Sequence, residues 1–436
     1  MINFNFLSLI FKLFSSIRNP NLWNIFNYKK EMESNTYTNI TLHQFNKLKK
    51  ILIHAYENSI FWNQRFKDSN FNPYVFNSFD DLKKINPINK KDLILFNSDI
   101  QVQHIKFNKV FKSNTSGSTG ERLIFSKNEY WDSSNRASIF QGYSWYNVKP
   151  WDFKIYFWGI NHTKIYKIKM KILDFLVRRY RIFSIDDFSF SKVAKYNNKA
   201  IVIEGYSSII NEFSKYVIKN NIKFPNLKLV KATSETISDD LKNNVKKAFK
   251  LNVCSEYGSA EAGIIAFSCP NGNMHINMDD VYIESLNDEI IVTNLNSYSF
   301  PIIRYKQGDY IDYNNNNFCS CELNTPILDN VIGRSGTFIF GFNDKYPSLL
   351  LYNIFKNINL KYNVSFSYNA LQYKLGYLII YITFSSNPTS IKLENIIQNE
   401  FSKYTKQNDL IITINYSTSK IYNKIFKKNL DFESFL

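Results

Sequence analysis

The sequence predicts an α/β protein with a large domain of mixed sheets flanked by helices, a small β subdomain within it, and a small α+β domain after it. Three observations lead there. Short apolar runs alternate with amphipathic stretches through the central third, the texture turns to strand alone after Met274, and a strand–helix–strand pattern returns beyond Gly333. Alternation of the first kind places helices on the faces of an α/β sheet. At 436 residues the chain is too long for one compact core, so a large domain and at least one smaller one are expected.

Met1–Ile17 reads MINFNFLSLIFKLFSSI, an apolar run broken by Asn3, Asn5 and Lys12. It lacks the basic start and small-residue cleavage site of a signal peptide. No segment of the chain reaches the ~20 apolar residues that span a bilayer. Two readings of this run stand side by side: a helix packed on the main domain, and an amphipathic helix lying on a membrane surface. Residues 1–40 are expected as an extension preceding a large domain over 41–333. Phe45, Leu48, Ile51, Leu52 and Ala55 repeat at helical spacing, Asp80, Asp81 and Leu82 open a short helix, and Pro87 interrupts the chain. Lys154–Trp158, Ala200–Ile203 and Leu227–Ala232 read as strands. Ser207–Lys219 and Ser238–Lys250 read as helices, with Ser238 as an N-cap. Val281–Ser285, Glu289–Leu295 and Tyr310–Tyr313 read as further strands, and Asn314–Asn317 as a polar turn. In 334–436, strands Tyr377–Phe384 and Leu410–Tyr416 around a helix Ile391–Lys403 suffice for a small α+β lid.

Composition excludes some classes. Hydrophobic residues at 44% and charged residues at 21% are ordinary for a globular chain and argue against disorder. The net charge of +17, from 54 basic and 37 acidic side chains, would attract nucleic acid, anionic lipid or phosphorylated small molecules. The lysines are scattered, with only short clusters such as Lys246-Lys247 and Lys427-Lys428, and no nucleic-acid module is recognisable. A solvated basic surface, without a specific nucleic-acid partner, is the reading that follows. Four unevenly spaced cysteines and no export signal place the chain in the reducing cytoplasm. Under the membrane reading of its first helix it is peripheral at the inner membrane face. Oligomeric state is not legible.

Four motifs carry chemistry. Asn114-Thr115-Ser116-Gly117-Ser118-Thr119-Gly120 is a donor-rich loop between two β-like runs, Val110-Phe111 and Leu123-Ile124-Phe125. Glycine admits backbone N–H groups close to an anion, and hydroxyls add donors without fixed charge. No lysine follows the last glycine, so it is not a Walker loop. In Ser255-Glu256-Tyr257-Gly258-Ser259-Ala260-Glu261, an aromatic ring suits a planar base, Gly258 admits close approach, and Glu261 suits a divalent cation on a polyphosphate. In Arg304-Tyr305-Lys306-Gln307-Gly308-Asp309, Asp309 suits ribose hydroxyls and Arg304 suits phosphate. Gly333-Arg334-Ser335-Gly336 opens the last segment. Cys269, His275, Cys319 and Cys321 offer three thiolates and an imidazole, a tetrahedral zinc set; reduced, partly buried thiols are the alternative. Cys254 reads as a core residue.

Together, in this order, the four motifs resemble the core motifs of the adenylate-forming superfamily. They are most similar to the phenylacetate–coenzyme A ligase family, including its relatives found with capsule-polysaccharide biosynthesis. Asn86 to Leu93, Gly205-Tyr206-Ser207-Ser208 and Thr233-Ser234-Glu235 agree with that branch. The resemblance implies a two-domain enzyme that uses ATP and Mg²⁺ to turn a small-molecule carboxylic acid into an acyl-adenylate, with coenzyme A as the default acceptor. It implies that Thr115, Ser116, Gly117, Ser118, Thr119 and Gly120 embrace the ATP phosphates and that Tyr257 and Gly258 line the adenine and acyl pocket. It implies Glu261 on Mg²⁺, Asp309 on the ribose, Arg334 at the hinge, and a catalytic lysine near the C-terminus, for which Lys420 is the candidate and Lys424 the reserve. A similar Cys, His and Cys-Pro-Cys arrangement in relatives supports structural Zn²⁺ pinning a β subdomain at about 265–330. Gln307 stands where the family has threonine, and Gly336 and Thr337 stand where it has the hinge acid. These departures leave open an amine or sugar acceptor in surface-polysaccharide biosynthesis, and a non-catalytic scaffold with weak or absent ATP binding. The aromatic residues Tyr143, Trp145 and Phe157 are candidates for a ring-binding pocket.

Overall fold

The computed structural model describes residues 4–115, 123–157, 164–182, 187–233, 237, 239–334, 338–347, 349–362, 366–384 and 393–417. The chain divides into two compact units, Met1–Ile332 and Gly333–Leu436.

The first unit opens with helices α1 (Phe4–Arg18), α2 (Leu22–Met32), α3 (Tyr37–Asn58), α4 (Ile60–Asp68), α5 (Lys90–Leu95) and α6 (Asn97–Ile100). Their ends are written in local chemistry. Thr36 caps α3 by accepting from the Asn39 N–H, and Asn89 with Asp92 forms a reciprocal capping box on α5. The apolar repeat of α3 is buried: Leu48, Ile51, Leu52 and Ala55 join Trp62, Phe66, Phe125, Trp131 and Phe300 in one core. A hairpin follows, β1 (Val110–Asn114) antiparallel to β2 (Ile124–Asn128), and then the long helix α7 (Glu129–Trp145).

The central α/β part runs β3 (Lys154–Phe157), α8 (Lys164–Leu176), β4 (Arg179–Arg181), α9 (Asp187–Ala194), β5 (Val202–Tyr206), α10 (Ser207–Lys219), β6 (Leu229–Thr233), α11 (Asp239–Phe249) and β7 (Val253–Ser259). Strands β4, β3, β5, β6 and β7 are parallel neighbours. Side chains alternate across them as a strand requires. Ile203 and Val230 face the core of α10 and α11, while Val202, Leu229 and Cys254 face Ala137, Phe140 and Tyr143 of α7. Ser238, the expected N-cap of α11, lies outside the described residues.

Strand-only structure begins at β8 (Gly263–Ser268), ahead of Met274, and continues through β9 (Met274–Ile276), β10 (Val281–Leu286), β11 (Glu289–Asn294), β12 (Tyr305–Phe318) and β13 (Pro326–Arg334). All join one sheet in the order β10-β11-β12-β13-β9-β8-β7-β6-β5-β3-β4. The expected turn at Asn314–Asn317 is corrected: β12 runs unbroken through it to Phe318. Asparagine disfavours strand, but β-propensity spans only ~1 kcal/mol and placement between two neighbouring strands overrides it.

The second unit holds β14 (Phe338–Phe340), β15 (Lys345–Pro347), α12 (Leu349–Tyr362), β16 (Phe366–Lys374), β17 (Tyr377–Phe384), α13 (Leu393–Phe401) and β18 (Ile411–Ser417). β17 pairs antiparallel with β16 and parallel with β18. Ile354, Ile358, Ile380, Ile382 and Ile397 form its core. No helix of the described residues is long and apolar enough to cross a membrane.

Candidate active site and metal centre

In an open α/β sheet the ligand crevice lies beyond the carboxyl ends of the parallel strands. At the end of β7 the chain turns tightly back into β8, and Gly258 is the residue that permits the turn. A Cβ there would stand 2.1 Å from the Gly263 carbonyl oxygen, so the close approach it allows is to its own hairpin partner. Ser259 ties the turn by accepting from the Ala262 N–H, and Asn294 donates to the Glu261 and Ala262 carbonyls at 3.2 and 2.8 Å.

Across the turn, β12 delivers the second motif. The Tyr257 hydroxyl donates to Asp309 Oδ2 at 2.7 Å. Gln307 Nε2 donates to the Tyr257 hydroxyl at 3.0 Å and to Asp309 Oδ2 at 3.2 Å, while its Oε1 accepts from Ser259 at 3.2 Å. Gly308, at φ +81°, takes the left-handed conformation between Gln307 and Asp309. Thus Tyr257, Ser259, Gln307 and Asp309 form one hydrogen-bonded set. Glu261 is buried, accepts from the Tyr305 hydroxyl at 3.2 Å, and among the described residues makes no ion pair.

The hairpin that carries the donor-rich loop is held against the same core as Tyr305, through Leu123, Phe125 and Trp131. Thr115 closes its last rung: its N–H donates to the Leu123 carbonyl at 3.0 Å, and its Oγ1 accepts from the Leu123 N–H at 3.2 Å. Ser116, Gly117, Ser118, Thr119, Gly120, Lys420 and Lys424 lie outside the described residues, as do Ser335, Gly336 and Thr337; Arg334 ends β13. Lys127 on β2 is a residue the motifs do not flag. Burial lowers its ammonium to about 8, against the opposing pull of Asp132 and Glu261. Its Nζ sits over the Trp131 ring, 4.9 Å from the centroid. A lone lysine in a lysine-rich sequence gives no signal of this.

Two expectations are corrected and one is met. Arg304 is not a phosphate ligand: it is buried, its Nε and Nη2 grip the two Glu284 oxygens at 3.0 and 2.9 Å, and its Nη1 donates to the Leu82 and Ile85 carbonyls. It braces the loop before α5 instead, and Ile88 bonds the backbone on both sides of Tyr305. Tyr143 and Phe157 do not line a common ring pocket. Phe157 is fully buried in the α10–α11 core, and Tyr143 is buried on the opposite face with its hydroxyl on Glu204. Cys254 is a core residue as expected, and burial pushes its thiol up to about 12.

The metal-type residues converge because β9 pairs with both β8 and β13. Cys269 and His275 flank the tight turn between β8 and β9, where Gly272 has φ +90°. Cys319 and Cys321 follow the end of β12. The four ligand atoms all lie within 4.8 Å of one another. Cys269 and Cys319 sulfurs are 3.8 Å apart, which matches the ~3.8 Å edge of a tetrahedron with Zn–S bonds of ~2.3 Å. With its proton on Nδ1, His275 donates to the Thr325 carbonyl at 3.2 Å and turns Nε2 toward Cys321, also 3.2 Å away. Burial lowers the imidazole to about 4, so it is neutral at physiological pH, as a ligand must be. Burial opposes ionisation of Cys319, but hydrogen bonds from Asn273 and from Cys321 bring its thiol down to about 7. The donor set fits zinc.

Comparison with solved structures shows that the chain shares its fold with a CoA ligase. It superposes on 2-hydroxyisobutyryl-CoA ligase, in an open conformation with 2-HIB-AMP and CoA, at a TM-score of 0.55 and 14% identity, covering 89% of this chain and 90% of that one. The same ligase in its postadenylation state with R3-HIB-AMP gives a TM-score of 0.57 at 13% identity, over 89% and 87% of the two chains. Among curated proteins, Protein CapK of Staphylococcus aureus is 23% identical over 312 residues. That match spans 65% of this chain and 65% of the length of CapK. No family model matches the chain.

Proposed function

We propose that this chain activates a carboxylic acid with ATP, forming an acyl-adenylate and releasing pyrophosphate. The observation that carries the reading is the Tyr257–Gln307–Asp309 set at the carboxyl end of β7. It stands in a fold shared with a ligase solved with an acyl-AMP. In this reading Asp309 accepts from the ribose hydroxyls, with Tyr257 and Gln307 holding its carboxylate in place. Tyr257 and Gly258 line the adenine and acyl pocket. The loop Thr115–Gly120, anchored through Thr115 on its hairpin, donates to the phosphates. Arg334 serves the ribose at the hinge. Lys420 bridges the attacking carboxylate and the α-phosphate and offsets the charge that develops there. Glu261, buried and outside any described ion pair, suits Mg²⁺, which when bound would neutralise charge on the polyphosphate.

The acyl group then passes to an acceptor, coenzyme A by default. Gly336 in place of a hinge acid favours a second reading, transfer to an amine or sugar. A cytoplasmic setting suits free thiols and ATP. Cys269, His275, Cys319 and Cys321 hold a structural Zn²⁺ that ties the β8–β9 turn to the end of β12.

Carboxylate-dependent ATP–pyrophosphate exchange against aryl, fatty, hydroxy and amino acids tests the reaction. Exchange with one acid class, lost in Lys420→Ala, supports adenylation and names the substrate. No exchange with any acid, together with no ATP binding, leaves the non-catalytic scaffold.

A further inference from the structure

We propose that α1 and α8 form a docking surface for an anionic lipid bilayer. Helix α1 is fixed to the first unit by Phe11, which is buried among the rings of Trp23, Phe140 and Trp151 at 6.3, 6.0 and 6.5 Å. With Phe11 turned inward, Leu9, Leu13 and Ile17, spaced at i, i+4 and i+8, form a stripe and are 64, 61 and 64% exposed. Helix α8 packs beside α1 and adds Ile172 and Phe175, 59 and 79% exposed. Single exposed apolar side chains are ordinary; five on two adjoining helices make a patch that marks an interaction surface.

Charge selects the occupant. Among the described side chains of the two helices, Lys12, Arg18 and Lys171 are exposed, Arg18 also reaching Asp132 at 3.7 Å, against one acid on the helices themselves, Asp174. Asp174 is buried and ion-paired with Arg179 and Arg181, so it does not offset them at the surface. Lys109 adds another cation at the end of α1, donating to the Ile17 and Arg18 carbonyls at 2.9 Å each. A second copy of this face would meet it with like charge. Nucleic acid would match the cations but leave the apolar stripe unmatched. An anionic bilayer satisfies both, since an interfacial helix buries its apolar stripe ~5–10 Å into the headgroup boundary while lysines and arginines meet the lipid charge.

Flotation of the full chain with vesicles of phosphatidylcholine alone, or mixed with phosphatidylglycerol, tests this. Binding to the anionic vesicles, weakened by salt and reduced about tenfold in both Leu13→Glu and Phe175→Glu, is expected. Because both side chains face solvent, the variants should keep the wild-type Tm. No binding to anionic vesicles at low salt, or binding unchanged in both variants, would overturn the proposal. So would a concentration-dependent dimer or nucleic-acid binding that the same substitutions abolish in place of vesicle binding.

Discussion

Gln307 replaces the threonine of the resembling family, yet its amide contacts both Tyr257 and Asp309 and its oxygen accepts from Ser259. Gln307→Leu should therefore raise the KM for ATP about tenfold with a smaller change in kcat, as expected when ground-state binding is lost. Steady-state exchange kinetics read the split, and an unchanged KM would show that the Tyr–Asp pair is positioned without it. Gly258→Ala brings a methyl against a backbone oxygen at 2.1 Å. It should cost ~1–3 kcal/mol by urea denaturation, the range for overpacking a closed site. Motifs of this kind were legible because glycines, carboxylates and aromatics at fixed spacing announce a site. Their division of labour was not. Arg304 and Asp309 lie five residues apart, but only the fold shows that one grips Glu284 while the other meets Tyr257.

At the scale of elements, the Cys/His cluster depends on strand pairing that no local pattern encodes. Cys269 and Cys319 are far apart in sequence and meet because β9 sits between β8 and β13. The purified chain should contain a zinc ion, read by elemental analysis, and Cys319→Ser should lose it. Chelation should lower the Tm, because a ligand bound only by the folded state stabilises it. Full retention of Tm on removing the metal would contradict a structural role. In the central part β3, β5 and β6 were readable as short apolar runs and α10 and α11 as amphipathic stretches, whereas β4, β7, α8 and α9 were not. The asparagine tract of β12 was not readable, because the pairing that makes it a strand is long-range.

At the scale of the molecule, helices α2 and α3 are locked onto the large sheet by a buried charge network. Lys29 of α2 pairs with Asp279 at 2.6 Å and Asp280 at 2.8 Å, and Lys47 of α3 reaches Asp279 at 3.1 Å. Ser138 and Asn296 satisfy Asp280 further. Lys29→Met leaves the buried Asp280 without its cation, while Lys47 still reaches Asp279, and should destabilise by ~3–5 kcal/mol in urea melts. Burial alone would raise Asp279, but Lys29 and Lys47 overcome it and hold the carboxyl well below the usual carboxylate range. A depressed folded value contributes stability that is complete above the unfolded value of about 4 and is lost as pH falls through the folded one. A buried carboxyl that has lost its cation is raised instead, so the Tm gap between wild type and Lys29→Met should begin to narrow above the unfolded value of about 4 and go on narrowing as pH falls toward the depressed wild-type folded value. Charge composition alone gave a solvated basic surface, and could not single out this lysine.

The central claim is that a carboxylate oxygen attacks the α-phosphate of ATP. Supplying the acid with ¹⁸O in its carboxylate and analysing the nucleotide after acyl transfer to a thiol or amine tests that bond directly. Adenylation places one labelled oxygen in AMP, with pyrophosphate unlabelled. Release of ADP, label in inorganic phosphate, or AMP without label would contradict it.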